Sequence, residues 1–387
     1  MNDIAPLGDM SAEEFLRDYW QKKPLLIRNA FPDFEPPVDA DTLAGLACEA
    51  MVESRLISQD ASGEQWQLQH GPFSEEDLSK LPASHWTLLV QAVDHWVPDA
   101  NALLERFRFI PSWRIDDLMI SYAAQGGGVG PHYDNYDVFL IQASGQRRWE
   151  YGGIYGEDSP RRDDTPVMIL PEWQAQESFV LNPGDMLYLP PRVGHNGVAE
   201  SDDCMTYSVG FRAPSHADLL RQFTDHLGEH LKSEIRYSDA DLTPQDSPSE
   251  IRNEAFDKVR QIMLDYINEP GVLEDWFGQY MTEPKYPENS MPLPESEQLS
   301  IAEMEGYLMS GGLVYRNEGV RFAYRIRDDK SIMLFVDGKA CEVSARQMSF
   351  IKALTDQPAV SIKDASTAEA FETLCALQAA DAVYIEE

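Results

Sequence analysis

Cysteine is scarce in this sequence. Cys48, Cys204, Cys341 and Cys375 are the four among 387 residues, and no CxxC pair occurs. That scatter argues against a cysteine zinc site or a disulfide framework and fits reduced thiols in a cytoplasm. Long apolar runs are missing too: no stretch reaches the roughly 18 residues needed to span a membrane. The opening MNDIAPLGDM has neither a basic start nor an apolar run, so no signal peptide is expected. Positive charge is the third shortage. Lys and Arg number 31 against 66 Asp and Glu, a net charge of −35 at pH 7. Such a field repels nucleic acid and anionic membranes and attracts basic partners. The same acidity would equally serve solubility or a salt-adapted host. No internal repeat or low-complexity tract is found.

Aromatic residues make up 10% and charged residues 25% of the chain, enough for sizeable cores rather than disorder. At roughly 100–200 residues per domain, two or three domains are expected. Residues 1–213 read as β-rich after a helical start. Ala12 to Trp20 suits a short amphipathic helix, Lys22 to Phe31 a strand, and residues 40–110 carry helix-like patches. From Trp113 onward short strands alternate with turn residues: IDDLMISYA, YDVFLIQAS, RRWEYG, SFVLNPGDMLYLPP and MTYSVGFRA. This spacing predicts a jelly roll or barrel rather than a parallel sheet.

The character changes at Pro214. Ser215 and Asp218 form a capping-box-like start, followed by Leu219, Leu220, Phe223, Leu227 and Leu231 at helical spacing. After a loop with Pro244 and Pro248, Ile251, Ala255, Val259, Ile262, Met263 and Tyr266 mark a second amphipathic helix. Trp276, Phe277 and Tyr280 mark a third. These helices are too few for a free-standing core, so residues 214–290 are expected to pack on another surface, such as a second subunit. Lys285 to Glu295 reads as a linker. Residues 291–387 then carry two strands, VRFAYRIRD and SIMLFVDGKACEV, with at least two helices, an order that suits a winged-helix-like domain. Its acidic balance counts against DNA binding.

The passage with most chemistry is Gly126-Gly127-Gly128-Val129-Gly130-Pro131-His132-Tyr133-Asp134. Alternation along a strand would point His132 and Asp134 to the same side, as one nitrogen and one oxygen ligand of a metal. His195, in NPGDMLYLPPRVGHNG, is the best third ligand. Two histidines and one carboxylate on one face of a metal leave open positions, the facial triad of non-haem iron(II) oxygenases. His70, His85, His95, His216, His226 and His230 have no comparable context and read as structural. Downstream, Gly145 reads as a hairpin turn, so Arg147 and Trp149 share a face of the returning strand. A cation facing a barrel core needs an anion, and a dicarboxylic acid gripped by two hydrogen bonds would supply one. The other orientation turns Arg148 inward and Arg147 to solvent.

The stretches FLRDYWQKKPLLIRNAF, DDLMISYAAQGGGVGPHYDNYDVFLIQASGQRRWEYG, NPGDMLYLPPRVGHNG, YSVGFRAP and EDWFGQYMTEPK resemble the JmjC oxygenases, most closely their ribosomal-oxygenase branch with its bacterial arginine hydroxylases. The resemblance spans nearly the whole chain. It implies a double-stranded β-helix core, a helical dimerisation region and a winged-helix-like C-terminal domain. It also implies iron(II) on His132, Asp134 and His195, and O2 and 2-oxoglutarate as co-substrates. The family's G-x-K-x-W basic residue falls on Arg147, arginine replacing the commoner lysine, with Ser121 adding a hydrogen bond to the co-substrate. The substrate implied is an arginine of a basic ribosomal protein. Asp117, Met119 and Tyr136 are expected on inward faces near the metal, where a carboxylate and an aromatic ring suit a guanidinium, and Ser208 adds a hydrogen bond. Alternatively Asp117 caps a turn with Asp116, and Met119 and Tyr136 are core residues. Histidine hydroxylation, lysine demethylation and an inactive cupin-like scaffold are the competing functions.

Overall fold

The computed structural model describes residues 5–60, 62–289 and 291–386, which divide into two compact units. Residues up to Ala213, with Asn317–Gly319, make the first, and the remainder makes the second.

Four short helices, α1 (Ala12–Asp18), α2 (Ala40–Ala47), α3 (Glu75–Ser79) and α4 (Pro98–Leu104), accompany eleven strands in the first unit. The strands are β1 (Leu25–Ile27), β2 (Ser54–Gln59), β3 (Trp66–His70), β4 (Trp86–Val90), β5 (Ile115–Ala123), β6 (Val138–Ser144), β7 (Arg147–Ile154), β8 (Glu177–Leu181), β9 (Met186–Leu189), β10 (Val193–Ala199) and β11 (Cys204–Phe211). Helix α1 starts where Ser11 Oγ accepts the Glu14 N–H at 3.1 Å, as an N-cap should. The strand expected over Lys22 to Phe31 shrinks to β1, paired with β9. Asn29 takes a positive φ, and its N–H bonds to Asp185 Oδ1 instead of continuing the ladder.

Two antiparallel sheets result, one in the order β1-β9-β6-β11-β5-β4-β2-β3 and a smaller one in the order β10-β7-β8. This is the expected jelly-roll architecture. The large sheet has two very different faces. Leu118, Ile120, Phe139, Ile141, Tyr188, Tyr207 and Val209 point outward into a core shared with Phe15, Leu43 and Phe107. Each such side chain contributes about 1.5–3 kcal/mol when fully buried, so the sheet is anchored from behind. The opposite face is set by register. Thr206 pairs with Ser121 and with Gln142, and Ser208 pairs with Met119 and Leu140. Side chains directly opposite share a face, so these residues all line the interior. Leu140, Trp149, Leu181, Leu187 and Val193 form an apolar cluster of their own. The polar residues remain grouped beside it.

The second unit begins with α5 (His216–His230), whose Ser215/Asp218 capping box forms as expected. It continues through α6 (Asn253–Ile267) and α7 (Val272–Thr282). Phe223 of α5 packs on Trp276 of α7 at 5.0 Å between centroids. No residue of α6 is buried: Phe256 is 53% and Met263 61% exposed. The remaining elements are α8 (Ile301–Met309), β12 (Val314–Arg316), β13 (Phe322–Ile326), β14 (Ile332–Val336), β15 (Lys339–Val343), α9 (Met348–Asp356), β16 (Ala359–Val360), α10 (Ala368–Ala379) and β17 (Val383–Ile385). The winged-helix reading holds, with more strands than expected. SIMLFVDGKACEV is not one strand but the hairpin β14–β15, because Asp337 and Gly338 both take positive φ, the usual tight-turn signature. Gly278 of α7 lies where an added Cβ would meet the Phe335 ring at 2.3 Å, so α7 sits directly on this β13-β14-β15 sheet.

Candidate metal centre

His132 and Asp134 do share a side, but not by strand alternation. Residues 131–137 form no strand, and His132 makes a single isolated bridge with His195. Each donates its backbone N–H to the other's carbonyl, at 2.9 and 2.8 Å. Pro131 has no N–H to give a ladder, and Gly130 turns the chain with φ +81°. The segment is pinned instead at Pro131 O by the Leu170 N–H and at Asp134 O by the Arg192 N–H. Gly128 permits the close passage to β10: a Cβ there would stand 2.5 Å from Gly197 O.

The bridge brings three ligands of two kinds together. His132 Nδ1 contacts Gly130 O at 2.8 Å and His195 Nδ1 contacts Val193 O at 3.0 Å. A carbonyl only accepts, so Nδ1 carries the proton in both rings and both Nε2 lone pairs are left for a metal. Those Nε2 atoms lie 4.0 and 3.5 Å from Asp134 Oδ2. The His195 side chain is only 4% exposed, against 20% for His132 and 23% for Asp134. The centre thus has a closed back and an open front. Burial, with His132 alongside, pushes the His195 pKa down to about 4, which keeps the ring neutral and able to coordinate. His132, Asp134 and His195 form the group of potential metal ligands found among the described residues. The six other histidines do not join it. His85 contacts Ser84 Oγ, and His226 lies against His230. Two nitrogens and one carboxylate oxygen suit a hard-to-borderline divalent metal with open positions.

The arginine next to the centre turns inward. Arg147 is 3% exposed, whereas Arg148 reaches out to Glu200 at 2.7 Å. Arg147 Nη1 donates to Ser121 Oγ at 3.2 Å and to Thr206 Oγ1 at 3.0 Å, and its plane lies 5.3 Å from the Trp149 ring. Among the described residues it has no carboxylate partner, and its buried Nε has no hydrogen bond. Burial alone therefore drives its pKa down. A guanidinium buried without a carboxylate is suited to receive an anion. The sequence reading named Ser121 but missed Thr206 and Gln142. Both were open to discovery, since MTYSVGF and VFLIQAS are strands whose polar residues stand out against apolar neighbours.

The ribosomal protein uL16 3-hydroxylase of Escherichia coli K12 is 40% identical over 320 residues, 82% of each chain. The JmjC domain matches residues 102–219 and the ROXA-like winged helix residues 262–384. This chain belongs to the JmjC ribosomal oxygenase family. A probable ribosomal oxygenase of Haemophilus influenzae is 38% identical over 276 residues, 70% of this chain and 67% of that one. The E. coli ribosomal oxygenase YcfD, solved in complex with cobalt and 2-oxoglutarate, superposes with a TM-score of 0.86 at 35% identity, covering 98% of this chain and 99% of that one. A further X-ray structure of that E. coli protein gives a TM-score of 0.89 at 34% identity, with the same coverage.

The residues expected beside a substrate are only partly where the expectation put them. Met119 and Ser208 do face the interior across the β5–β11 ladder, Ser208 nearly buried. Asp117 is on the same face, 3% exposed. Its Oδ2 accepts from Gln91 Nε2 at 2.6 Å and from the Ala92 N–H at 2.9 Å, bracing the left-handed Ala92 before the Val93–His95 turn. Tyr136 reaches the site from a loop and not from a strand face, with its hydroxyl hydrogen-bonded to Asp134. It lies after the metal segment and is 42% exposed, because strand alternation ends with the bridge at His132. Partial desolvation and then the charges of Asp134, Asp117 and Asp116 raise its pKa, which puts the ring in the negative field at the mouth of the site.

Proposed function

We propose that this protein is an iron(II)- and 2-oxoglutarate-dependent oxygenase that hydroxylates an arginine side chain of a large-subunit ribosomal protein in the cytoplasm. The observation that carries the reading is the pairing of an open His132/Asp134/His195 centre with Arg147, a buried cation whose Nε has no partner. Bound iron supplies the oxygen chemistry, driven by O2 and decarboxylation of the keto acid. The chain's own part is placement. His132, Asp134 and His195 hold the metal on one face and leave the opposite face to co-substrates. Arg147, with Ser121, grips the far carboxylate of 2-oxoglutarate, and the apolar cluster around Trp149 and Leu187 excludes water from the other end.

Asp117, Met119, Tyr136 and Ser208 form the proposed substrate wall. The carboxylates around Tyr136 suit a guanidinium, whose plane can stack on that ring as it enters. The net charge of −35 adds long-range attraction to a basic ribosomal protein and disfavours direct nucleic-acid binding. The printed name of the E. coli relative, a uL16 hydroxylase, supports the same target class. The exposed apolar residues of α5 and α6 support a homodimer through that region.

The test is mass spectrometry of ribosomal proteins from cells with and without the gene, followed by purified enzyme on matched peptides. Gain of one oxygen on an arginine is expected. Oxygen gained only on histidine, formaldehyde release from methyl-lysine, or no co-substrate turnover would each replace this reading with the corresponding alternative.

A further inference from the structure

Gln142 is a buried amide on the inner face of β6, fully inaccessible to solvent and surrounded by an otherwise apolar strand. A polar side chain placed there is costly unless all its groups are used. Its Nε2 donates to Ser144 O at 2.7 Å and contacts Cys204 Sγ at 3.4 Å. A backbone carbonyl only accepts, so the amide nitrogen must face Ser144 and the amide oxygen must face the other way. That oxygen lies 3.3 Å from Thr206 Oγ1. Arg147 has no acceptor to offer, so its Nη1 at 3.0 Å forces Thr206 to present a lone pair. The Thr206 proton then goes to Gln142. The second hydroxyl on Nη1 is committed in the same sense: Ser121 Oγ points its proton at the Thr206 carbonyl, 3.5 Å away.

We infer that Gln142 is a positioning residue for the co-substrate. By taking the Thr206 proton it fixes that hydroxyl as an acceptor, which clamps Arg147 by Nη1 and leaves the Nε/Nη2 edge of the guanidinium for a carboxylate. The unpartnered Nε is on that edge. A carboxylate bound there receives two parallel N–H bonds, the geometry that an arginine fork grips best. Donation runs one way from the Arg147 guanidinium through the Thr206 hydroxyl and the Gln142 amide to the Ser144 carbonyl, and the ligand carboxylate accepts from the other edge of the same guanidinium. This inference rests on the proposed role of Arg147.

The experiment is calorimetric binding of 2-oxoglutarate to the cobalt(II)-loaded full chain, comparing wild type with Gln142→Leu, Thr206→Val, Thr206→Ser, the Gln142→Leu/Thr206→Val pair and Arg147→Met. Loss of one oriented hydrogen bond predicts Kd raised about five- to tenfold in Gln142→Leu and in Thr206→Val. Thr206→Ser, which keeps the hydroxyl, restores wild-type binding. The double variant is no weaker than Thr206→Val alone, because both substitutions break one chain. KM for 2-oxoglutarate rises by the same factor while cobalt affinity does not change, a selectivity that general loosening of the barrel would not give. If Gln142→Leu fails to fold, the contrast of Thr206→Val with Thr206→Ser decides. The inference is overturned if Arg147→Met loses 2-oxoglutarate but Gln142→Leu binds it within twofold of wild type, or if the two effects multiply. Should Arg147→Met itself bind normally, the role of Arg147 fails first.

Discussion

Replacing Arg147 by methionine should weaken co-substrate binding and yet leave the ligand-free protein at least as stable. Two opposed effects are involved. With 2-oxoglutarate bound, the Nε/Nη2 edge supplies two charge-assisted hydrogen bonds, each contributing about 1.5–3 kcal/mol. Truncating one partner of a buried charge pair costs about 2–5 kcal/mol in total. At 1.4 kcal/mol per tenfold, the expected rise in Kd is about thirtyfold to several thousandfold. Without ligand the sign turns. The guanidinium is 3% exposed, has no carboxylate partner among the described residues, and makes its side-chain hydrogen bonds to two neutral hydroxyls. Its desolvation is therefore not offset, and a methionine of similar length fills the same space without that cost. Ser121 and Thr206 keep the Thr206 carbonyl and Gln142 as acceptors, so neither hydroxyl is orphaned.

The assay is thermal unfolding of the cobalt(II)-loaded protein with and without 2-oxoglutarate. At a hundredfold excess over Kd, ligand stabilises wild type by about 2.7 kcal/mol, roughly 5–10 °C for a unit of this size. Arg147→Met should show almost none of that shift and a ligand-free Tm no lower than wild type. A ligand-free Tm several degrees lower would mean that the cation is structurally paired, and a preserved ligand shift would mean that the dicarboxylate binds elsewhere. Either result refutes the argument.

His132→Ala and Asp134→Ala should each abolish 2-oxoglutarate turnover with circular dichroism unchanged, since both side chains sit at the open front of the barrel; full turnover in either variant would remove that residue from the ligand set. The metal-free protein should lose stability as pH falls from about 6.5 toward 4. Burial depresses His195 to about 4 from the 6.5 of an unfolded chain, so the unfolded state takes up a proton first across that window; His195→Asn should flatten this slope in pH-dependent denaturation. Light scattering at micromolar concentration should give a dimer, and charged substitutions at Phe256 and Met263 on α6 should give monomers. In peptide competition, an arginine-containing ribosomal peptide should be hydroxylated in preference to its lysine and histidine variants, and Tyr136→Ala should raise KM for that peptide without changing KM for 2-oxoglutarate.

Much of this molecule is legible in its sequence wherever one physical signal dominates. Alternation in MTYSVGF and DDLMIS gives the strands and their inner faces. Ser215 and Asp218 give the start of α5. His132, Asp134 and His195 stand out by residue type and by the glycine and proline residues around them. The misreadings share one cause, that alternation was carried past the point where pairing stops. Residues 131–137 look like a strand because His132, Asp134 and Tyr136 alternate, but only His132 pairs, so Tyr136 comes to the site from a loop. Lys22 to Phe31 looks like a strand because it is apolar, but Asn29 leaves the ladder for the Asp185 carboxylate. The Asp337-Gly338 turn is masked in the sequence by the apolar run before it. Gln142 and Thr206 stand out as polar residues within apolar strands, but the hydrogen bond between them shows only when β6 and β11 are laid side by side.

The same comparison explains why the inner face of a jelly roll tolerates so many polar groups. Cys204, Thr206, Ser208, Ser121 and Gln142 would weaken an ordinary core, where each buried polar atom needs its own partner. Here Cys204, Gln142, Thr206 and Ser121 are linked by hydrogen bonds that end on Arg147, whose Nε has no partner. Stability comes from the opposite face, where Phe15, Phe107 and Phe139 pack without such demands and the hydroxyls of Tyr188 and Tyr207 are met by Asp137 and the Val38 backbone. Because the two faces belong to the same strands, one residue in two can be given to packing and the next to chemistry. A substitution on the outer face, such as Phe139→Ala, should therefore cost stability of about 3–5 kcal/mol with 2-oxoglutarate affinity kept in the folded fraction. One on the inner face, such as Thr206→Val, should do the reverse. If Phe139→Ala instead changed co-substrate affinity as much as Thr206→Val does, the separation of packing from binding across the sheet would be wrong.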